Sequence, residues 1–345
     1  MEFFEKAQSC LSDGKPFVLF RKPDETTVSG MFQRDRVSHG CNKCDVSGFV
    51  FAPFAGDDML YLPELESDIE SVAFLPKDVT LNAPELEIDE IAKKDFEALV
   101  NKAVAEIKEG TFDKVVLSRT EKVALEDFDI FEAFKKLAWA YPKAFVYLWF
   151  HPETNIWMAA TPEKLLKANG NSFETMALAG TQKFQGDANV EWPRKEREEQ
   201  RFVTDFIWNS LEGLVSEIEL SEPYTYQAGN LLHIRTDIKG QLASNNHLPD
   251  VIFTLHPTPA VCGLPKQAAR EFILANEGYD REFYSGFVGE LNLETGTDLY
   301  VNLRCMKIID DQAQLFMGCG ITKDSVAEKE FFETVNKALT VKKCL

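Results

Sequence analysis

A chain of 345 residues with 45% hydrophobic and 27% charged residues has the length and the balance of a folded protein with a substantial core, not of a disordered one. Its formal net charge of -19 argues against a nucleic-acid partner or an anionic membrane surface, because both need clustered basic side chains and no such stripe is present. The same charge means that an anionic substrate would need a local basic pocket, with or without a metal cation beside it, to overcome the surrounding repulsion.

The opening MEFFEKAQSC is acidic where a secretory leader would be basic, and no apolar run reaches the roughly 20 residues of a membrane span, so a cytoplasmic protein is expected. Up to about residue 90, short apolar runs such as PFVLF, MLYLP and SVAFLP between turn-forming residues predict strands rather than long helices. Cys41 and Cys44 in this portion form a CxxC without the second ligand pair of a zinc site. With the other scattered cysteines they read as structural or incidental. A helix is expected from Asp89 to the stop at Gly110. KVVLSR, AFVYLWF and NIWMAA follow as strands, while IFEAFKKLAWAY and the stretch from Lys195 to Leu220 carry helical period. LYVNLRCMKII and QAQLFMGCG read as two consecutive strands and SVAEKEFFETVNKALT as a terminal helix. The class is α+β. With no repeat, low-complexity tract or linker, residues 1–345 read as one domain, β-rich over 1–95 and carrying the chemistry over 96–341.

The helix from Lys195 gathers Phe202, Val203, Phe206, Ile207 and Leu214 on one face, and Glu196 and Glu199 fall on that same face. An inward carboxylate costs several kcal/mol unless it is paired or bound to a cation, so the two acids ask for a metal or an ion-pair network; the alternative is that they only favour the helix dipole. In the terminal helix Glu330, Glu333 and Lys337 lie along one side, opposite Phe331, Val335 and Ala338, which by period alone is a solvated charged face. Lys114 precedes an apolar strand, where a lysine is usually exposed; Glu163 follows a proline and fits a helix start. GxGxxG, GxxxxGK[ST], HExxH and GxSxG are all missing, so the common nucleotide cradles, zinc proteases and serine hydrolases lack their signatures.

Taken in order, KVVLSR, ATPEKL, ALAGTQ, KEREEQ, HIRTDIKG, HPTPAVCGLPK, YSGFVGEL, NLRC, MGCGI and EFFETVNK resemble the motif series of the chorismate-utilising enzymes. That family includes isochorismate synthases, salicylate synthases and the large components of anthranilate and aminodeoxychorismate synthases. Each segment alone is weak, but the ordered series is specific. The resemblance implies two antiparallel β-sheets packed as a sandwich with helices on the outside, and an active site opening between them.

It further implies that Glu199 and Glu333 hold Mg2+, with Glu196 and Glu330 beside them, and that the metal clamps the ring carboxylate of the substrate, near Lys337. Substrate contacts are implied for Gly180, Thr181, His233 and Ala260, and Tyr284, Arg304, Gly318 and Gly320 are implied to hold the enolpyruvyl carboxylate. Lys114 matches the general base for water attack at C2, and Glu163 the acid that protonates the hydroxyl leaving C4. Alanine at 260, where anthranilate and salicylate synthases typically carry threonine, together with Lys114, favours water as nucleophile and hence isochorismate synthesis. The family motif often places histidine where this chain has Gln200. The rivals are a salicylate synthase, which would go on to eliminate pyruvate, and a catalytically silent chorismate-binding homologue. A monomer is the expectation, and the pathway, menaquinone, siderophore or salicylate, stays open.

Overall fold

The aromatic and β-branched runs form strands, and the strands assemble into two large antiparallel sheets. The computed structural model of the protein describes residues 2–56, 58–82, 84, 87–229, 231–244 and 247–345. Helix α1 (Phe3–Asp13) leads into β1 (Phe17–Arg21), β2 (Thr27–Gln33), β3 (Gly40–Cys41), β4 (Gly48–Ala52), β5 (Met59–Pro63) and β6 (Ser67–Ala73). Helix α2 (Glu90–Glu109) precedes β7 (Lys114–Ala124), α3 (Ile130–Ala140), β8 (Phe145–His151), β9 (Asn155–Thr161), β10 (Lys164–Asn169) and β11 (Ser172–Lys183). After α4 (Arg194–Ser210) come β12 (Val215–Leu220), β13 (Tyr224–Ala228), β14 (Leu231–Leu242), α5 (Leu248–Leu255), β15 (Gly263–Leu264) and α6 (Lys266–Asn276). The chain closes with β16 (Phe287–Leu293), β17 (Gly296–Val301), β18 (Cys305–Ile309), β19 (Gln312–Ile321) and α7 (Ala327–Lys342). As expected for α2, Asp89 caps its first turn and Gly110, at φ 85°, ends it in the left-handed region.

One sheet runs β15-β7-β19-β18-β9-β8-β1-β2-β6, and the other β12-β14-β11-β10-β17-β16-β4-β5-β3 with β13 added on β14. Side chains alternate across each strand, so β1 sends Val18 and Phe20 between the sheets and Phe17 and Leu19 outward. The inter-sheet core is aromatic: Phe49 and Phe51 of β4 meet Tyr147 and Trp149 of β8 and Trp157 of β9. Burying rings of this size stabilises by roughly 1.5–3 kcal/mol each. Helices α1 and α3 cover the outer face of the first sheet through Phe3, Ala7 and Phe134, and α4 and α5 cover that of the second through Val203, Ile207 and Ile252. Helices α2, α6 and α7 close over β7 and β19.

Three readings are corrected. The first residues form α1, whose Phe3, Ala7 and Cys10 lie on one buried stripe; eleven residues are too few for period to stand out among neighbouring apolar runs. The helix expected to reach Leu220 stops at Ser210, because Gly213 takes φ 82° and VSEIEL then pairs with β14 as β12. LYVNLRCMKII is two strands in different sheets, β17 and β18, joined where the chain crosses from one to the other at Asn302–Arg304.

That crossing is held by Asn302, which is fully buried. Its Oδ1 accepts from the Tyr147 hydroxyl at 2.8 Å, and its Nδ2 donates to the Phe283 carbonyl at 2.9 Å. Asn302→Ala should lower the unfolding free energy by about 2–3 kcal/mol, read as a shifted urea midpoint at unchanged slope, because it leaves the Tyr147 hydroxyl buried without a partner.

Candidate active site

Lys114 opens β7 and would be exposed if β7 were an edge strand. Instead β15 pairs beyond it, Leu264 opposite Lys114, and leaves the lysine 1% exposed. Gly263 allows this approach, since a Cβ there would lie 2.3 Å from the Lys114 carbonyl oxygen. Burial pushes the Lys114 amine down from its usual value, toward the neutral form, partly opposed by Glu199, whose Oε2 lies 4.0 Å from Nζ.

Glu163 stands in the turn between β9 and β10, and no helix starts there. Its carbonyl accepts from Val301 across the sheet, and its carboxyl is buried. Burial raises the carboxyl pKa to about 8, against weaker opposing effects from Lys114, Lys337 and Arg304. The two groups are thus both shifted toward their uncharged forms in one cavity, the amine downward and the acid upward.

Arg304 lies on the crossing between the sheets at φ 51°. Its guanidinium is buried and donates to the Thr340 hydroxyl at 3.3 Å and to His233 Nε2 at 3.2 Å. His233 in turn donates from Nδ1 to the Gly180 carbonyl at 2.9 Å, which fixes its tautomer. Burial, with Arg304 and Lys337 nearby, holds this imidazole neutral, its pKa pushed down to about 3. Among the described residues no carboxylate lies within ion-pairing distance of Arg304. A buried guanidinium without a counter-ion is a site prepared for an anion.

The acids sit on two helices. Glu199 on α4 is 7% exposed, as the inward face predicts, and Glu196 is half-buried. On α7 the solvated-face reading is overturned: Glu330 is 3% exposed, and Glu333 and Lys337 are half-buried and turned to the cavity side, because α7 packs against both α2 and β19. Lys195 ties the groups together, 2.6 Å from Glu330 Oε1 and 3.6 Å from Glu199 Oε1, while Lys337 lies 2.8 Å from Glu333 and donates to the Gly318 carbonyl at 2.9 Å. Burial raises the Glu330 carboxyl, whereas Lys337 and Lys195 draw Glu333 down. One oxygen of Glu199 and one of Glu196 are buried with no hydrogen-bond donor. Four carboxylates against two ammonium groups leave excess negative charge and open oxygen donors, a set that fits a hard divalent cation.

Glycines let the walls close. A Cβ on Gly320 would fall 2.9 Å from the Glu199 carboxylate, one on Gly318 2.7 Å from the Tyr284 hydroxyl, and one on Gly180 2.9 Å from Glu196 Cβ. Tyr284 stacks on Phe316 at 5.6 Å.

Thirteen of the residues singled out from the sequence line one cavity, Lys114, Glu163, Gly180, Thr181, Glu199, His233, Ala260, Tyr284, Arg304, Gly318, Gly320, Glu333 and Lys337, while Glu196 and Glu330 stand behind its wall. Sequence reasoning missed Lys195 and the pair Glu277 and Arg281. Arg281 is bidentate to Glu277 at 2.5 and 2.7 Å, with both side chains buried. Arg281 also donates to the Val116 and Val261 carbonyls, and Glu277 accepts from Ser118 N, so this pair holds β7 against the loop carrying Ala260. Four-residue spacing was the available signal, but on a surface helix the same spacing is an ordinary solvated pair. Gln200, where the family motif often has histidine, anchors α4 by donating to Thr204 and Thr236.

A family model described as chorismate binding enzyme matches residues 61–345. Among curated proteins, the chain is 30% identical over 262 residues to the salicylate biosynthesis isochorismate synthase of Pseudomonas aeruginosa, covering 73% of this chain and 55% of that protein. It is 31% identical over 259 residues to isochorismate synthase EntC of Escherichia coli K12, covering 71% of this chain and 66% of that protein. The chain therefore matches between about half and two thirds of the length of these relatives. A crystal structure of the protein named DhbC from Bacillus anthracis shares the fold, with a TM-score of 0.81 at 22% identity over 98% of this chain and 99% of that one.

The folded state keeps a proton on Glu163 up to about pH 8, whereas an unfolded glutamate releases it near 4.5. The stability this group contributes is therefore complete below pH 4.5 and lost as pH rises through 8. Glu163→Gln keeps the shape without ionising, so it should gain stability relative to wild type as pH climbs across that window. Urea unfolding at several pH values checks this, and a difference that does not change with pH would contradict it.

Proposed function

We propose, since the chain belongs to the chorismate binding enzyme family, that it is an isochorismate synthase, adding water at C2 of chorismate and losing the C4 hydroxyl. The reading rests above all on the two inverted ionisable groups, Lys114 and Glu163, lining the cavity that Arg304 also enters. The neutral amine of Lys114 takes a proton from the attacking water, and the neutral carboxyl of Glu163 gives one to the departing hydroxyl. One water enters and one leaves, so the ring keeps its formula and no covalent enzyme intermediate is needed.

Arg304 and Tyr284, with the backbone about Gly318 and Gly320, would hold the enolpyruvyl carboxylate. His233 orients the Arg304 guanidinium through a tautomer fixed at Gly180. Gly180, Thr181 and Lys337 close the cavity around the ring. Ala260, small and half-buried on the wall, leaves room for the attacking water.

Glu199 and Glu333, with Glu196 and Glu330 beside them, are the residues that would hold Mg2+. When bound, magnesium supplies positive charge that neutralises and orients the ring carboxylate. Lys195, paired with Glu199 and Glu330, holds these two acids close together.

Purified protein with chorismate and magnesium should form isochorismate, seen by chromatography, and little fluorescent salicylate; accumulating salicylate would instead assign the eliminating activity, and no turnover would leave a binding protein. Lys114→Ala should lower kcat by about 10²–10⁴-fold with the fold intact. Glu333→Gln should raise the magnesium concentration needed for half-maximal rate while leaving the rate at saturating metal less affected. An unaltered magnesium requirement would remove Glu333 from the metal site.

A further inference from the structure

Away from the catalytic cavity, ionisable groups converge where the chain crosses twice between the sheets. Asp35 follows β2, the last strand segment before the chain leaves the first sheet, and His39 precedes β3 in the second. Glu66 lies in the short 3-10 turn Glu64–Glu66, where the chain returns from β5 to β6. One ligand atom from each of Asp35, His39 and Glu66 falls within 4.8 Å of the others. His39 Nε2 is 3.2 Å from Glu66 Oε2.

A surface acid pair beside a histidine is common and by itself carries little, but Gln33 adds a second observation. It is 1% exposed, and its Nε2 donates to Asp35 Oδ1 at 2.8 Å and to the Val37 carbonyl at 2.6 Å, which places the amide end at the cluster. Its Oε1 is buried there without a donor. Val37 N also donates to Asp35 Oδ1, so the loop is folded around that carboxylate and holds it ionised. His39 Nε2, facing Glu66, is likewise buried without a hydrogen-bond partner, and an orphaned imidazole nitrogen and amide oxygen beside the Asp35 carboxylate, already supplied with donors, lack a cation rather than another hydrogen bond.

We propose that Asp35, His39 and Glu66, with the Gln33 amide beside them, form a second metal site for a zinc-class divalent ion. An imidazole nitrogen with two carboxylates suits such an ion better than magnesium, which favours oxygen donors and bound water. Its ligands come from the two segments that pass between the sheets, so the ion ties those crossings together. It has no part in the reaction.

The 345-residue protein, held in excess magnesium to fill the hard-oxygen site, is titrated with zinc against a chromogenic zinc chelator. Wild type should take one equivalent and show a higher melting temperature with zinc. His39→Ala and Glu66→Gln should each weaken zinc binding by about tenfold or more and abolish the melting shift. Glu66 is exposed, so its substitution tests the site even if the His39 variant folds poorly. Unchanged affinity in the Glu66 variant, or a wild type that leaves all zinc with the chelator, overturns the proposal.

Discussion

Burying a guanidinium is tolerable only when its donors are met and its charge has somewhere to go, and Arg304 meets only half of this by itself. Thr340 and His233 satisfy part of its hydrogen bonding, yet no carboxylate among the described residues balances its charge. The cavity around it is arranged under the same constraint. Burial pushes Lys114 and Glu163 toward their uncharged forms, whereas the acids of α4 and α7 lie beside Lys195 and Lys337. One end of the cavity is therefore short of negative charge and the other has it in excess. In the function proposed above, a dianion and a divalent cation together would close that imbalance and let so acidic a chain hold an anion.

The geometry depends on groups that need not touch a ligand. The Glu277 and Arg281 pair binds three backbone groups on β7 and the Ala260 loop as well as its own partner. Losing either member would leave the other charged and buried, and would free the strand from which Lys114 projects. Gly263 and Gly320 act differently, by removing a side chain where a strand and a carboxylate must come close.

The sequence was legible wherever one period governed one face. The apolar strand runs, the caps of α2 and the inward turn of Glu199 all followed from local pattern. Glu330 and Glu333 did not, because α7 is packed on more than one side and a charged stripe then marks a cavity instead of solvent. Lys114 was misjudged for a related reason. Its environment is set by β15, two residues that sit about 150 positions later in the chain and show no strand period of their own. Only the order of the family's motifs brought these residues together. Arg281 lay outside that series, and Lys195, though it opens KEREEQ, received no role from it, since their partners are what give them meaning.

The strands before α2 are divided between the two sheets, β1, β2 and β6 entering one and β3, β4 and β5 the other. β8 is hydrogen-bonded to β1 and β16 to β4. A fragment beginning after residue 95 would therefore present two raw strand edges, each flanked by aromatic surface cut open on the inner side, and would be prone to self-association. Any exchange of this segment between proteins must deliver six strands to two separate destinations at once.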